Sequence, residues 1–157
     1  MLAAGGVRRP LSLLRRDKPP EEEPRLLSED TSRKIRTMLE LAVSEAGTGA
    51  KATVPGYRVA GKTGTAHKTA HGRYSPDRYR SLFAGMVPAS RPRLVCVVMI
   101  DEPHRGGYYG GVIAAPVFSQ IMEGALRILN IPPDAIPAQN LVVVTKPDPG
   151  AAAEANR

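Results

Sequence analysis

The chain has 157 residues, of which 42% are hydrophobic, and 22 Lys and Arg stand against 15 Asp and Glu, a formal net charge of +7. This hydrophobic fraction is sufficient for a folded core, so the composition excludes a wholly disordered chain and fits one domain or part of a larger one. The single cysteine excludes an internal disulfide framework and any multi-cysteine metal site.

The first 27 residues are rich in glycine and proline and predict turns and loops. No apolar run approaches the ~20 residues of a membrane span, and the start lacks the pattern of a signal peptide, so we expect neither an anchor nor a leader in this sequence. The positive charge suits an acidic partner. The segment nevertheless has no aromatic interleaving or recognition helix, so no nucleic-acid partner is predicted from Arg8, Arg9, Arg15 and Arg16.

Two helices are predicted. Ser28 is a favourable N-cap followed by two acidic residues, and apolar residues then recur every three or four positions as far as Ala46, where Gly47 ends the pattern. A second, mostly buried helix is predicted from about Val112 to Leu129. Pro116 is expected near its first turn, where a missing N–H costs little.

Between the helices the pattern predicts strands. A weakly alternating segment begins at Tyr57, and nearly all-apolar runs follow at 82–87 and 94–100. The short proline-containing turn between these two runs favours antiparallel neighbours. The polar stretch 67–80 is predicted to be a connection. The predicted fold class is therefore α/β in the α+β sense, with an antiparallel sheet packed with helices.

One functional hypothesis rests on the segment from Gly56 to Thr63, which matches the phosphate-loop pattern G-x-x-x-x-G-K-[ST]. The apolar run from Val97 to Ile100, followed by Asp101 and Glu102, has the form of a magnesium-holding strand. A phosphate loop also needs a flexible backbone around the phosphates and a helix that begins at its Lys-Thr pair. The residues after Thr63 show no helical period, so nucleotide binding is the alternative interpretation.

The second hypothesis takes Lys62-Thr63-Gly64 itself as the motif, at the edge of a strand. The lysine places a positive charge beside a substrate, the threonine hydroxyl donates to a carboxylate, and the glycine leaves room for a substrate along the strand. This tripeptide is an element of the serine acyl-transferases that recognise penicillin. Further segments accompany it in order: Val59 to Ala66, Tyr79 to Gly85, Pro92 with the following apolar strand, Tyr108 to Gly111, and Ala114 to Phe118.

In that order and spacing, the chain resembles the C-terminal part of the transpeptidase domain of class B penicillin-binding proteins, of the septal peptidoglycan D,D-transpeptidase type. The resemblance covers 1–137, and 138–157 is predicted to be a partly disordered tail. It implies the fold of penicillin-recognising serine transferases and the cross-linking of peptidoglycan stem peptides through an acyl-enzyme. It further implies inhibition by β-lactams, partners in cell division or elongation, a location at the periplasmic face of the inner membrane, and no cofactor.

The resemblance also implies roles for the residues of the strand motif. Lys62 belongs to the catalytic hydrogen-bond network. Thr63, Gly64 and Thr65 contact the substrate, and the two threonines bind its carboxylate or that of a β-lactam. The backbone N–H of Thr65 supplies half of an oxyanion hole, and the N–H of the nucleophile supplies the other half.

An aromatic wall of the cleft is implied as well, formed by Tyr79, Tyr108 and Tyr109. From the residues alone, packing of a loop explains Tyr108 and Tyr109 equally well, because glycine-flanked aromatic side chains often cover the edge of a core. His67 stands at the rim of the implied cleft. The three histidines are too scattered to share a metal ion, so no metal site is predicted from His67, His71 and His104.

The chain departs from the family in one decisive respect. No serine is followed three residues later by lysine, and no Ser-x-Asn occurs. The segment from Thr31 to Lys34 has threonine in the first place and lies in the first predicted helix. Without a nucleophile and its base, acylation cannot take place. We therefore expect the chain to be a fragment, the last third of a transpeptidase domain, and to be inactive alone.

Overall fold

The computed structural model describes residues 1–14, 24–70 and 72–135. Arg15, Arg16, His71 and the tail predicted at 138–157 lie outside the described residues, and what the sequence predicts for them stays a prediction. Among the helices of the three described ranges, none combines the length and the apolar character that crossing a membrane requires.

Two helices and one sheet make up the described part of the chain. The helices are α1 (Glu29–Leu41) and α2 (Gly110–Ile128). The strands are β1 (Ala60–Ala70), β2 (Arg73–Val87) and β3 (Leu94–Asp101). They neighbour each other in chain order and both pairs are antiparallel, so the predicted fold class, an antiparallel sheet packed with helices, is confirmed.

Both helices begin close to their predicted residues. The Oγ of Ser28 accepts a hydrogen bond from the N–H of Thr31 at 3.0 Å, which satisfies one of the free donors of the first turn. Helix α2 begins at Gly110, two residues before the predicted Val112. Pro116 consequently lies in the interior of the helix, farther from the first turn than expected. Because proline has no N–H, one internal hydrogen bond of the helix is missing there.

The predicted continuation of α1 to Ala46 is wrong, because the helix ends at Leu41. After that residue the chain folds back tightly on the helix end. A Cβ atom on Gly47 would lie 2.3 Å from the carbonyl oxygen of Ala42. The apolar period continues in the sequence because Val43 is buried in this turn, and burial rather than helical structure explains it.

The connection predicted at 67–80 is also wrong, because β1 and β2 continue through it as a long hairpin. His67 pairs with Tyr79 and Thr69 with Tyr74, and the register shifts between these pairs. The described side chains of this segment, at 67–69 and 72–80, are exposed or half-buried on both faces. A strand without a buried face needs no apolar alternation, so its sequence resembles that of a loop. We call residues 67–80 the hairpin arm.

The main core lies between one face of the sheet and α2. Phe83 of β2 and Phe118 of α2 are fully buried, and their ring centroids are 4.8 Å apart. Val98 of β3, the cross-strand partner of Phe83, is buried beside them. Burial of these large side chains stabilises the inner halves of the strands and holds α2 across them.

Helix α1 covers only one end of the opposite face, which we call the open face. Leu39 packs there against Ala60 and Met86. Cross-strand partners share a face. Lys62 pairs with Ala84, and Ala84 pairs with Val97 of β3. Lys62 therefore lies on the open face together with Val97. Three apolar side chains of β3 on it are 59–63% exposed: Val95, Val97 and Met99.

Five charged side chains tie the hairpin arm to the end of β3, and we call them the ion-pair network. Lys68 of β1 binds both Asp101 and Glu102. Arg80 Nε donates to Asp101 Oδ1 at 3.0 Å, and Arg78 Nη2 donates to Glu102 Oε1 at 2.7 Å. Hydrogen bonds from Lys68 lower the pKa of both carboxyl groups, and its bond to Asp101 raises the pKa of Lys68.

We expect the ion-pair network to lose its stabilising effect in acid. Because the folded state lowers the pKa of Asp101 and of Glu102, their contribution is complete above the ordinary carboxyl pKa of about 4 and is lost as the pH falls through the lowered folded values. Lys68 has the opposite sign, so its contribution is lost only as the pH rises through its raised pKa.

The stabilising effect of the ion-pair network is measured by urea unfolding of the unsubstituted chain and of Asp101→Asn, at neutral and at acidic pH. The gap in unfolding free energy between the two should shrink as the pH falls, because the protonated aspartate no longer attracts its cations. Glu123→Gln on α2, outside the ion-pair network, is the control and should show no such trend. A gap between Asp101→Asn and the unsubstituted chain that stays constant with pH would contradict the prediction.

Candidate functional site

The motif residues Lys62, Thr63, Gly64 and Thr65 lie in the inner half of β1, which is an edge strand of the described sheet. An edge strand leaves a row of backbone N–H and C=O groups without a strand partner, so an extended ligand can pair with it. The side chains alternate between the faces. Thr63 lies opposite the buried Phe83 and therefore faces α2, as does Thr65, whereas Lys62 belongs to the open face.

The side chain of Lys62 folds back along the strand edge to its neighbour. Its Nζ donates to the Oγ1 of Thr63 at 3.2 Å and to the carbonyl oxygen of Thr63 at 3.1 Å. The same Oγ1 lies 3.1 Å from the Oγ1 of Thr48. A carboxylate bound at this point would meet one cation and two hydroxyl donors, which is a favourable set for charge-assisted hydrogen bonds.

Helix α2 begins directly against the backbone of β1. A Cβ atom on Gly110 would lie 2.4 Å from the carbonyl oxygen of Gly64, so only glycine fits at this position. The N–H of Gly110 donates to the Oγ1 of Thr65 at 3.1 Å. A Cβ atom on Gly111 would lie 2.1 Å from the carbonyl oxygen of Thr48. Two successive glycines thus bring β1, α2 and the turn after α1 together.

A cavity of about 370 Å³ opens between these three elements. The first turn of α2 contributes the positive end of the helix dipole, and the ammonium group of Lys51 adds a full positive charge. Both features favour an anion. The polar lining includes Thr48, Lys51, Thr63, Thr65 and Tyr109.

The predicted aromatic residues form one continuous row. The rings of Tyr79 and Tyr108 stack with centroids 4.0 Å apart and planes 10° apart, and the Tyr109 ring lies 4.5 Å beyond Tyr108. His67, the cross-strand partner of Tyr79, contacts the Tyr79 ring at 4.4 Å. The buried Ser81 hydroxyl donates to the carbonyl of Tyr108. We call these four rings the aromatic row, and it runs from the hairpin arm to the cavity at Tyr109.

The structure therefore brings the predicted residues to one end of the sheet. Thr63, Thr65 and Tyr109 line the same cavity, and Lys62 contacts Thr63 at its edge. Sequence reasoning missed Thr48 and Lys51, and the only signal for Thr48 was its place between two glycines. It did not predict the ion pairs of Glu102 with Lys68 and Arg78 either, because these partners lie on other strands.

The phosphate-loop interpretation of Gly56 to Thr63 is not supported by this geometry. Lys62 and Thr63 lie inside β1, where the backbone is extended, and the strand continues to Ala70. A phosphate loop needs a helix that starts at the Lys-Thr pair, so that its first N–H groups converge on the phosphates. The first described helix after Thr63 is α2, which begins at Gly110.

We expect Gly110→Ala to separate the start of α2 from β1. The new methyl would collide with the carbonyl oxygens of Gly64 at 2.4 Å and Leu82 at 2.2 Å, which are backbone atoms that cannot move aside cheaply. Urea unfolding should show a loss of about 1–3 kcal/mol or more, the usual cost of overpacking.

Gly124→Ala is the matched control, since it lies in the same helix with nothing within 4 Å of the added Cβ. It should stabilise the chain by about 0.5–1 kcal/mol, the difference between alanine and glycine inside a helix. Equal effects of Gly110→Ala and Gly124→Ala would contradict the proposed close approach.

Comparison with known proteins agrees with the fold and the motif. Residues 1–123 match the family model of the penicillin binding protein transpeptidase domain. The chain is 52% identical over 125 residues to a probable peptidoglycan D,D-transpeptidase PbpC of Pseudomonas aeruginosa, and the match covers 80% of this chain and 22% of that protein. It is 46% identical over 132 residues to the peptidoglycan D,D-transpeptidase FtsI of Escherichia coli, covering 83% of this chain and 22% of that protein.

A solved structure described as the apo structure of the TP domain from Burkholderia pseudomallei penicillin-binding protein 3 is similar with a TM-score of 0.77. The two are 46% identical, and the match covers 87% of this chain and 41% of that chain. The chain thus spans about a fifth of the length of these curated relatives. The resemblance inferred from the sequence is confirmed, and the chain belongs to the penicillin-binding protein transpeptidase domain family.

Proposed function

We propose that this chain supplies the substrate-binding strand of a serine-type peptidoglycan D,D-transpeptidase. The observation that carries the proposal is the convergence of the motif residues Lys62 to Thr65, the start of α2 and the aromatic row at one edge of the sheet. In the proposed reaction the enzyme cross-links peptidoglycan stem peptides through an acyl-enzyme formed at a D-Ala-D-Ala terminus. β-Lactams act as suicide substrates of the same site.

The terminal carboxylate of the stem peptide, or the carboxylate of a β-lactam, is the proposed ligand of Thr63 and Thr65. Hydroxyl donors, the nearby ammonium of Lys62 and the start of α2 support this assignment, because each favours a negative charge at the same place. Gly64 lets the peptide lie along β1, where the free strand edge can pair with its backbone.

Acylation is proposed to proceed by attack of a serine hydroxyl on the carbonyl of the penultimate D-Ala. The peptide bond to the terminal D-Ala breaks, and the leaving amine takes up the proton that the serine gives up. An amine of a second stem peptide then attacks the ester and restores the serine. The N–H of Thr65 is proposed to stabilise the oxyanion of the tetrahedral intermediates, together with the N–H of the nucleophile itself.

The nucleophile and its base are proposed to come from the rest of the transpeptidase domain, since this chain has neither a Ser-x-x-Lys nor a Ser-x-Asn sequence. The open face supports this division, because Lys62 belongs to it and its apolar side chains are exposed. A segment that covers this face would bring its own side chains to Lys62. We extend the proposal to action at the periplasmic face of the inner membrane, in cell division or elongation.

In the transpeptidase domain of which this chain is part, Lys62→Ala should abolish acylation by a β-lactam. Loss of a positioned group in the proton-transfer network typically costs about 100- to 10,000-fold in rate. The measurement is the rate at which a fluorescent penicillin labels the domain covalently. Lys34→Ala is the control, because Lys34 is a surface lysine of α1 paired with Asp30 at 2.8 Å.

Labelling of Lys34→Ala should proceed at the rate of the unsubstituted domain. If Lys62→Ala is labelled equally fast, the assignment of the catalytic network to this strand is refuted. If the unsubstituted domain is not labelled at all, the proposed transpeptidase function is refuted as a whole.

A further inference from the structure

We propose that Glu102 is a positioning residue, which holds the hairpin arm and the loop before α2 together and so keeps the aromatic row in place. The inference deepens the proposed function, because the aromatic row is the proposed wall of the substrate cleft. It rests on the backbone of Glu102, on the contacts of its side chain and on the geometry of the rings it connects.

The backbone of Glu102 has an uncommon conformation. Its φ is 50°, in the left-handed region that residues other than glycine rarely adopt. In this conformation its N–H donates to the carbonyl oxygen of Tyr79 at 2.9 Å. The residue that follows β3 is thereby bonded directly to the residue that carries the first tyrosine of the aromatic row.

The side chain of Glu102 binds both strands of the hairpin arm. Its Oε1 accepts hydrogen bonds from Lys68 of β1 and from the Nε and Nη2 of Arg78 of β2, at 2.9 Å and 2.7 Å for the arginine. These two residues lie next to His67 and Tyr79 in the sequence. One carboxylate therefore bridges the two strands whose rings begin the aromatic row.

Asp101 is the second carboxylate that binds the hairpin arm, through Lys68 and Arg80. The described side chains of the arm are exposed or half-buried, whereas the main core lies against the inner half of β2. Tyr108 belongs to the loop between β3 and α2, so its stacking with Tyr79 joins two segments that are distant in sequence. A cavity of about 390 Å³ lies beside this stack, lined by both tyrosines and by Glu102. Release of Glu102 would remove the contacts beside Tyr79 and the loop before α2, while Asp101 would still bind Lys68 and Arg80.

The competing explanation is an ordinary surface ion pair. Exposed pairs generally contribute little to stability, so stability alone does not distinguish the two explanations. A purely structural pair would leave the relative geometry of the tyrosine rings unchanged when it is removed. A positioning residue would alter that geometry while the core stays folded.

Two substitutions test the proposal on the chain itself. Glu102→Gln removes the negative charge, and Lys68→Met removes one of its partners while keeping the aliphatic stem. The chain has five tyrosines and no tryptophan, so its near-ultraviolet circular dichroism reports the packing of tyrosines. The variant Tyr79→Leu, which removes the first tyrosine of the aromatic row, gives the reference loss of tyrosine signal. We expect Glu102→Gln and Lys68→Met each to show most of that loss, while their far-ultraviolet spectra stay those of the folded chain.

Asp30→Asn is the matched control, because Asp30 is also a carboxylate that binds two cations, Arg33 and Lys34, but it lies in α1 outside the aromatic row. It should leave the tyrosine signal unchanged. If Glu102→Gln and Lys68→Met leave the signal unchanged as well, the proposal is overturned. Should Glu102→Gln fail to fold, Lys68→Met decides in the same way.

A second measurement connects the proposal to substrate binding. In the transpeptidase domain of which this chain is part, Glu102→Gln should slow acylation by benzylpenicillin, whose acyl side chain carries a phenyl ring, about 3- to 10-fold, the range expected for lost aromatic contacts. Acylation by 6-aminopenicillanic acid, which has the same β-lactam nucleus but no aromatic ring, should change much less. Equal slowing of both probes would overturn a role through the aromatic row.

The two proposals fail in different ways. If neither probe acylates the unsubstituted domain, the transpeptidase function fails, and the dichroism of Glu102→Gln still decides whether the residue positions the rings. If acylation is normal in every variant and the tyrosine signal is unchanged, the function stands and the positioning role is overturned.

Discussion

The site depends on one close backbone approach, between the first residue of α2 and the edge strand β1. Gly110 lies where any Cβ atom would collide with the carbonyl oxygen of Gly64, and its N–H reaches the hydroxyl of Thr65. Since Tyr108 and Tyr109 directly precede this glycine, the approach also determines where the aromatic row ends. The position of the tyrosines relative to Thr65 therefore follows from one steric condition, which is that α2 begins with two glycines.

Alternation along β1 divides the site between two faces of the sheet. Thr63 and Thr65 face α2, where the core is complete and their positions are fixed by Phe83 and by Gly110. Lys62 belongs to the open face and reaches Thr63 only around the strand edge. A ligand along this edge would meet hydroxyl donors from one side and the ammonium from the other. A group that covers the open face would therefore approach Lys62 from the side opposite to the two threonines.

The sequence predicted those features whose causes are local. Ser28 caps α1 through its own hydroxyl. The apolar strand at 94–100 and the motif at Lys62 are likewise predictable, because composition and spacing within a few residues define them. The hairpin arm was missed because strand pairing, and not a buried face, holds it in place. The contacts of Glu102 and of Thr48 were missed for a related reason, since their partners lie on other strands and no pattern within a short window records such contacts.

Two kinds of force hold the two ends of the site, and they differ in how much displacement of the residues they permit. Around Thr65, buried rings and steric contacts between backbones define one arrangement, because close-packed groups tolerate little displacement. Around Tyr79, the contacts are ion pairs and stacked rings on an exposed hairpin arm, which water and salt weaken. The end of the site at Thr65 is therefore held by close packing, whereas the end at Tyr79 is held by ring stacking and by the ion-pair network around Glu102.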